Sequence, residues 1–332
     1  MYHFFWENNP PYDIRSEKRR LSGVCLGVAS IFVISIIAQF ILILPLIMFA
    51  PTLLESPIVG SLIGSLAMYA IAMPFSLLIF STSKPVREPI KQKLGVFPML
   101  CLVAVSLGLT VAGNLIGSYV NGIISALTGK ETFNPVAEMT DGLPIPLAFL
   151  TLVILAPIFE EIFLRKLVID RIRHHGDGFA ILFSGIVFGL IHGNLSQFFY
   201  AALLGMLFGA VYCYTGSLKH SILLHMAVNF MGGVYSLIMV RAFGGTIPEE
   251  LTAEITEAYP IGSAMMLGYT AVFGAAFFAF LPAALYLWRR VRPGLCMVGD
   301  VTPGDSKRIL LGNAGVWILL AVVAVLFMMN AA

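Results

Sequence analysis

The chain has 332 residues, of which 58% are hydrophobic and only 11% are charged, and its formal net charge is +2. Soluble domains carry about 25% charged residues, so the composition excludes an ordinary soluble protein. The basic residues form short clusters beside apolar runs, which is typical of membrane topology signals and not of an extended nucleic-acid-binding face. We therefore predict an all-α, polytopic membrane protein that is embedded in the lipid bilayer and has no nucleic-acid partner.

The apolar runs define nine candidate membrane spans. A bilayer core about 30 Å thick requires roughly 20 apolar residues per helix. The fifth and sixth runs are short and nearly continuous, so eight spans plus a re-entrant segment is the alternative, and the predicted fold is a bundle of 8–9 transmembrane helices. The candidate spans are residues 22–50, 57–81, 97–127, 144–167, 178–193, 196–215, 218–240, 261–288 and 309–329.

The distribution of lysine and arginine predicts the orientation of these spans, because short loops rich in them stay in the cytoplasm. With a cytoplasmic N-terminus, nine spans place all but two of the 20 basic residues, Lys130 and Arg241, on the cytoplasmic side. The first apolar run is too long for a cleavable signal sequence, so we expect it to remain as an anchor. A bacterial-type plasma membrane is the expected location.

Two adjacent glutamates, Glu160 and Glu161, lie at the end of a long uncharged stretch in "APIFEEIFLRK". A charge deep in the bilayer costs about 2.5–3.5 kcal/mol, so such a residue is a functional candidate. Glu161 and Arg165 are four residues apart and share a helix face, whereas Glu160 points about 100° away. We expect Arg165 to neutralise Glu161, which leaves Glu160 for proton transfer; the alternative is a simple salt bridge at the membrane edge.

Further polar groups occur in apolar runs that follow. His192 comes four residues after Phe188, and His225 comes four residues before Asn229. A single histidine in such a helix is often a packing residue, but polar groups from several helices are expected to converge on one cavity and not to face lipid. His174 and His175 adjoin Gly176 in a basic loop, where capping or solvated roles are expected.

These motifs, Glu-Glu-x-x-x-Arg, Phe-x-x-x-His and His-x-x-x-Asn in that order, resemble the signature of the CAAX protease and bacteriocin-processing (CPBP) family, also called the type II CAAX prenyl endopeptidase or Abi family. The resemblance implies an intramembrane endopeptidase, a hydrolase that acts on a membrane-associated or prenylated peptide from the cytoplasmic side. By position it implies that Glu160 and His192 activate a water molecule and that His225 and Asn229 stabilise the oxyanion. The supporting residues it implies are Glu161, Arg165 and Phe188.

The resemblance divides the chain into four sections. They are a cytoplasmic tail (1–21), N-terminal transmembrane helices (22–143), a CPBP-like catalytic core (144–240) and C-terminal transmembrane helices (241–332). The expected partners are the bilayer and a peptide or lipidated protein substrate. A proton-relay transporter or a non-catalytic immunity protein are the alternatives, although no pair of matching halves suggests a transporter.

Metal dependence stays open at this point. Glu160, His192 and His225 could hold zinc with one position left for water, as in a metalloprotease. An HExxH pair on one helix would favour zinc, but the sequence has none. A site without a cofactor is therefore the first choice.

The predicted spans also place the candidate site residues at different depths in the membrane. His192 would lie about 20 Å into a fifth span that begins near Gly178, whereas Glu160 and His225 would lie about 10 Å from the cytoplasmic face. The site requires a tilted fifth helix or a re-entrant segment.

Overall fold

A computed structural model of the chain describes residues 12–86, 91–129 and 142–331. These residues form helices and connecting turns, with no strand among them, so the predicted all-α class is confirmed. Within the described ranges seven helices are long and apolar enough to cross a membrane, or eight if a bent C-terminal pair counts as one span. The chain is a multi-pass membrane protein.

The helices are named here in chain order. They are α1 (Ile14–Phe49), α2 (Pro57–Phe80), α3 (Val96–Thr128), α4 (Ile145–His175), α5 (Asp177–Leu190), α6 (Leu195–Thr215), α7 (Leu218–Ala242), α8 (Ala253–Ala258), α9 (Pro260–Gly294), α10 (Pro303–Leu311) and α11 (Ala314–Asn330). The bent pair is α10 and α11, which meet at 56°.

Helix α5 corresponds to the predicted fifth span, residues 178–193. It has 14 residues and is therefore about 21 Å long, which is shorter than a bilayer core of about 30 Å. It leads into α6 through a four-residue connection that contains His192. Among the described residues the structure therefore has seven spans, or eight with the bent pair, and one shorter apolar helix, which is closer to the alternative of eight spans than to nine.

The segments predicted to share the cytoplasmic side lie on one face of the molecule, here called the basic face. The orientation of this face in the membrane stays a prediction, and Arg87 and Lys130, which entered that prediction, lie outside the described residues. Hydrogen bonds that join the basic face run from Val86 N to Asp170 O (3.1 Å), from Gln92 N to Tyr214 O (3.3 Å), from Asp300 N to His174 O (2.7 Å) and from Asn313 Nδ2 to Lys18 O (2.8 Å).

Helix α4 extends to His175, eight residues beyond the predicted end at 167. The prediction ended there because polar residues follow, but these side chains are buried and paired. Arg171 donates to the Ser83 carbonyl at 2.6 Å, and Arg173 contacts Asp177 at 2.7 Å. Because buried polar groups require partners, this network allows the helix to continue through a polar stretch.

The longer α4 changes the predicted difference in depth. Glu160 is 15 residues before the end of α4, and His192 is 15 residues after the start of α5 at Asp177. Each is therefore about 22 Å along the chain axis from the turn that joins the two helices. The turn therefore leaves Glu160 and His192 at similar distances from it along their two helices.

Close backbone packing holds α5 against α6. A Cβ on Gly205 would lie 2.9 Å from the Gly185 Cα, and a Cβ on Gly185 would lie 2.7 Å from the Met206 nitrogen. Small residues allow this approach within a membrane, as the spacings "GIVFG" and "GMLFG" indicate. By contrast, a Cβ on Gly60 or Gly64 would have no neighbour within 4 Å among the described atoms.

Candidate active site

A fully buried ion pair forms the base of the site. The Arg165 Nε and Nη2 atoms donate to the two carboxylate oxygens of Glu161 at 2.9 and 3.1 Å, and both side chains are 0% exposed. Such a bidentate geometry is the strong form of this interaction. Arg165 Nη1 also donates to Ser184 Oγ at 2.6 Å, which in turn donates to the Leu164 carbonyl at 2.9 Å. The pairing expected from the four-residue spacing is present.

His225 lies between the two glutamates. Its Nδ1 is 3.2 Å from Glu161 Oε1, and its Nε2 is 3.8 Å from Glu160 Oε2. An ionised carboxylate only accepts hydrogen bonds. The Nδ1 atom therefore carries the hydrogen and donates a hydrogen bond to Glu161. The Glu160 side chain is 22% exposed, whereas that of Glu161 is 0% exposed. The adjacent acids thus occupy different environments, as their 100° separation on the helix predicts.

His192 is oriented by the backbone of its own turn. Its Nδ1 lies 2.7 Å from the Phe188 carbonyl oxygen; because that oxygen can only accept, Nδ1 donates and Nε2 is left as the free ring nitrogen. His192 and His225 both contact the Phe188 ring, which brings the two histidines to the same part of the site.

The Phe188 ring is the packing centre of the site. Its centroid is 5.1 Å from the His192 ring and 5.4 Å from the His225 ring. The Arg165 guanidinium carbon lies 5.2 Å from the same ring, within the range of a cation–π contact. Phe188 thus contacts both histidines and the ion pair, and its supporting role stays a prediction.

Asn229 has a partner that the sequence did not indicate. Its Nδ2 donates to the Leu152 carbonyl at 2.9 Å. In this part of α4 the backbone bonds run from residue i to i−5, as from Ala156 N–H to Thr151 O. The next donor in that series would be Pro157, which has no N–H. The Asn229 amide therefore supplies the hydrogen bond that Pro157 cannot make. The second N–H and the Oδ1 atom of Asn229 stay available for a substrate.

π-helical stretches flank the polar residues in both α4 and α7. They cover Phe149–Leu155 and Ile162–Ile169 on either side of the glutamates, and Phe230–Tyr235 directly after Asn229. Such turns are rare and occur frequently at functional sites. They mark the same part of the bundle as the motifs do.

Sequence reasoning missed Ser184. This buried hydroxyl binds Arg165 and lies on the same face of α5 as Phe188, four residues before it. The spacing of Ser184, Phe188 and His192 at i, i+4 and i+8 is a signal that could have identified it.

A second polar chain, also missed, supports the His192 turn. Asn194 Nδ2 donates to the His192 carbonyl and to Gln197 Oε1, both at 2.8 Å, and Gln197 Nε2 donates to the Tyr200 hydroxyl at 2.9 Å. Tyr200 lies within the electrostatic range of Glu160. From the C-terminal helix, Asn330 Nδ2 donates to the Gly193 carbonyl at 3.1 Å. Residues outside the motif region thus hold the loop that carries His192.

The zinc alternative requires Glu160, His192 and His225 to bring three ligand atoms together. Ligands at 2.0–2.2 Å from one zinc ion lie within about 3.5 Å of one another. Among the described residues, the group whose ligand atoms all lie within 4.8 Å of one another is Glu17, His174 and His175, and not this triple. The donors at the candidate active site therefore do not fit an assembled zinc site.

Comparisons with known proteins agree with the position of this site. Residues 142–231 match the family described as type II CAAX prenyl endopeptidase Rce1-like. The chain is 26% identical over 148 residues to "Putative membrane peptidase YdiL" of Bacillus subtilis (strain 168), in an alignment that covers 42% of this chain and 61% of that relative. The chain thus spans less than two thirds of that relative's length. No solved structure matches the chain.

The matched segment contains the two glutamates, Arg165, Phe188, both site histidines and Asn229. The resemblance inferred from the three motifs is confirmed: residues 142–231 of this chain match the Rce1-like CAAX prenyl endopeptidase family.

Proposed function

We propose that this protein is an intramembrane endopeptidase in which Glu160 activates a water molecule for hydrolysis of a peptide bond. One observation supports this above all: the partly exposed Glu160 carboxylate lies 3.8 Å from His225, beside a fully buried Glu161–Arg165 pair. Isolated charges are expensive within a membrane protein. The paired, buried Glu161 supports the site, and the accessible Glu160 next to it supplies the reactive group.

Glu160 acts as the general base. It takes a proton from the water as the oxygen attacks the peptide carbonyl carbon, and it returns this proton to the leaving amine when the carbon–nitrogen bond breaks. His192, held by the Phe188 carbonyl through Nδ1, accepts a hydrogen bond from the same water at Nε2. General acid–base catalysis of this kind contributes typically 10²–10⁴-fold to a rate.

His225 stabilises the oxyanion. With Nδ1 donating to Glu161, the Nε2 atom of His225 faces the Glu160 side of the site and donates to the oxyanion when it carries a proton. The remaining N–H of Asn229 adds a second donor, and each such donor is worth about 2.7–4 kcal/mol in the transition state.

The substrate class follows from the position of the site and from the family. A site among membrane-spanning helices favours a peptide that is anchored in the bilayer by its own apolar residues or by a lipid, such as a prenylated protein. We place the basic face in the cytoplasm by the positive-inside rule, and we assign the protein to a bacterial-type plasma membrane. No cofactor is required for this mechanism.

The test is cleavage of a quenched fluorescent peptide library by purified protein in detergent, before and after strong chelation. Glu160→Gln should lose at least 10²-fold in rate while keeping the wild-type melting temperature. Glu254→Gln, an exposed acid on α8, is the matched control and should cleave normally. Equal cleavage by wild type and Glu160→Gln would remove Glu160 from the reaction, and loss on chelation that zinc reverses while the melting temperature stays unchanged would replace this mechanism by a metal-dependent one.

A further inference from the structure

A second cluster of titratable residues lies on the basic face, away from the candidate active site. Glu17 near the start of α1 and His174 and His175 at the end of α4 are 5%, 3% and 6% exposed. His174 is 14 residues after Glu160, about 21 Å along α4. The expectation of capping or solvated roles for these two histidines was wrong, because α1 and the C-terminal segment cover them.

The side chains of this cluster converge on one carboxylate oxygen. Glu17 Oε2 is 2.5 Å from His174 Nε2 and 3.6 Å from His175 Nε2. The candidate ligand atoms of the three residues all lie within 4.8 Å of one another. The two imidazole rings, although adjacent in sequence, thus present the same type of nitrogen to the same oxygen.

A neighbouring hydroxyl orients one of these rings. His175 Nδ1 is 2.8 Å from Ser306 Oγ on α10. A hydrogen bond at one imidazole nitrogen leaves the other as the ligand atom, and such outer partners are typical of metal-binding histidines. Ser306 therefore leaves His175 Nε2 free to face Glu17.

The charges of the cluster also favour a cation at its centre. Glu17 Oε2 can accept a hydrogen bond from an Nε2–H of each histidine, and a metal ion that displaces these protons would be held by the same three atoms. Arg20 Nε is 3.4 Å from Glu17 Oε2, but its guanidinium donates through Nη1 to the Lys84 carbonyl at 2.9 Å and its side chain is 25% exposed. Arg20 can turn outward, whereas Glu17, His174 and His175 are buried.

We propose that Glu17, His174 and His175 form a binding site for a divalent transition-metal ion, with Zn²⁺ as the best fit. Two imidazoles and one carboxylate are a donor set that zinc accepts, with water as a fourth ligand. Tetrahedral ligands lie about 3.3 Å apart, so Glu17 moves away from His174 by somewhat less than 1 Å, a shift that rotation of its side chain supplies. The bound ion ties the start of α1 to the end of the helix that carries Glu160, and through Ser306 to α10.

The test is metal binding by the purified, chelator-stripped protein in detergent, titrated with Zn²⁺ and separately with Co²⁺, whose visible absorption reports tetrahedral coordination. Wild type should bind one equivalent, and its melting temperature should rise by roughly 5 °C at a hundredfold excess over the dissociation constant. Glu17→Gln and His175→Ala should each weaken binding at least tenfold. Ser306→Ala, which leaves the ligands in place, should weaken it about tenfold.

Two control variants separate this site from other histidines. His220→Ala, on α7, should bind as wild type does, and so should His192→Ala, which alters the candidate active site. The proposal would be overturned if the wild-type protein bound neither Zn²⁺ nor Co²⁺, whatever the variants did. Binding that survives His175→Ala but is lost in His192→Ala would place the metal at the other site and would equally overturn it.

Discussion

Replacement of Arg165 by methionine is the most direct test of how the site is built. Methionine keeps much of the apolar volume of the arginine stem but removes the guanidinium. The Glu161 carboxylate, which is 0% exposed, then loses both hydrogen bonds from Arg165 and retains the one from His225 Nδ1. Ser184 also loses its partner at 2.6 Å. The variant therefore leaves a buried carboxylate with too little compensation.

The expected magnitude follows from the burial of the pair. Breaking a buried ion pair by removal of one partner costs about 3–5 kcal/mol, whereas replacing both partners by neutral groups is often nearly neutral. We expect Arg165→Met to lower the free energy of unfolding by about 3–5 kcal/mol. The double variant Glu161→Gln/Arg165→Met should recover most of that loss, because no uncompensated charge remains.

The assay is unfolding in mixed micelles by titration with a denaturing detergent, followed by the fluorescence of the three tryptophans. Lys166→Met is the matched control, since Lys166 is 61% exposed and 3.9 Å from Asp170, and its loss should cost less than about 1 kcal/mol. A loss below about 1 kcal/mol in Arg165→Met, or a double variant no more stable than this single variant, would refute the reasoning.

Two other substitutions test the packing around the site. Asn229→Ala leaves the Leu152 carbonyl without its partner, so we expect a loss of about 1–3 kcal/mol in the same unfolding assay and a lower cleavage rate; unchanged stability would contradict the role assigned to this bond. Gly185→Leu should cost at least 1–3 kcal/mol by overpacking and should reduce cleavage, because α5 carries His192. Gly64→Leu, with open space around it, is its control, and equal effects of the two changes would show that the α5–α6 contact is not limiting.

The C-terminal helices also have a defined relation to the site, although they lie outside the matched segment. Asn330 on α11 reaches the Gly193 carbonyl, and a Cβ on Gly193, whose φ is +67°, would lie 2.9 Å from Asn330 Nδ2. The turn that presents His192 is thus held from both sides, by α11 and by the polar chain that starts at Asn194. Catalytic residues require this kind of support to keep a fixed geometry.

The sequence by itself determined the features that depend on composition and local spacing. The membrane class and the all-α architecture follow from the lengths of the apolar runs. The Glu161–Arg165 pair follows from the four-residue repeat of a helix. The order of the three motifs was sufficient to indicate the family, because these polar residues interrupt an otherwise apolar background.

Only the tertiary structure decided what depends on partners distant in the chain. Helix α4 continues to His175 because Ser83, Asp177 and Glu17 satisfy its buried polar side chains, and this length leaves Glu160 and His192 at similar distances from the turn between α4 and α5. The bond from Asn229 to Leu152 depends on a carbonyl that Pro157 leaves free on another helix. Burial converts an unpaired polar group from a small cost into a large one, so the polar residues of this protein acquire their roles only when the helices that cover them are in place.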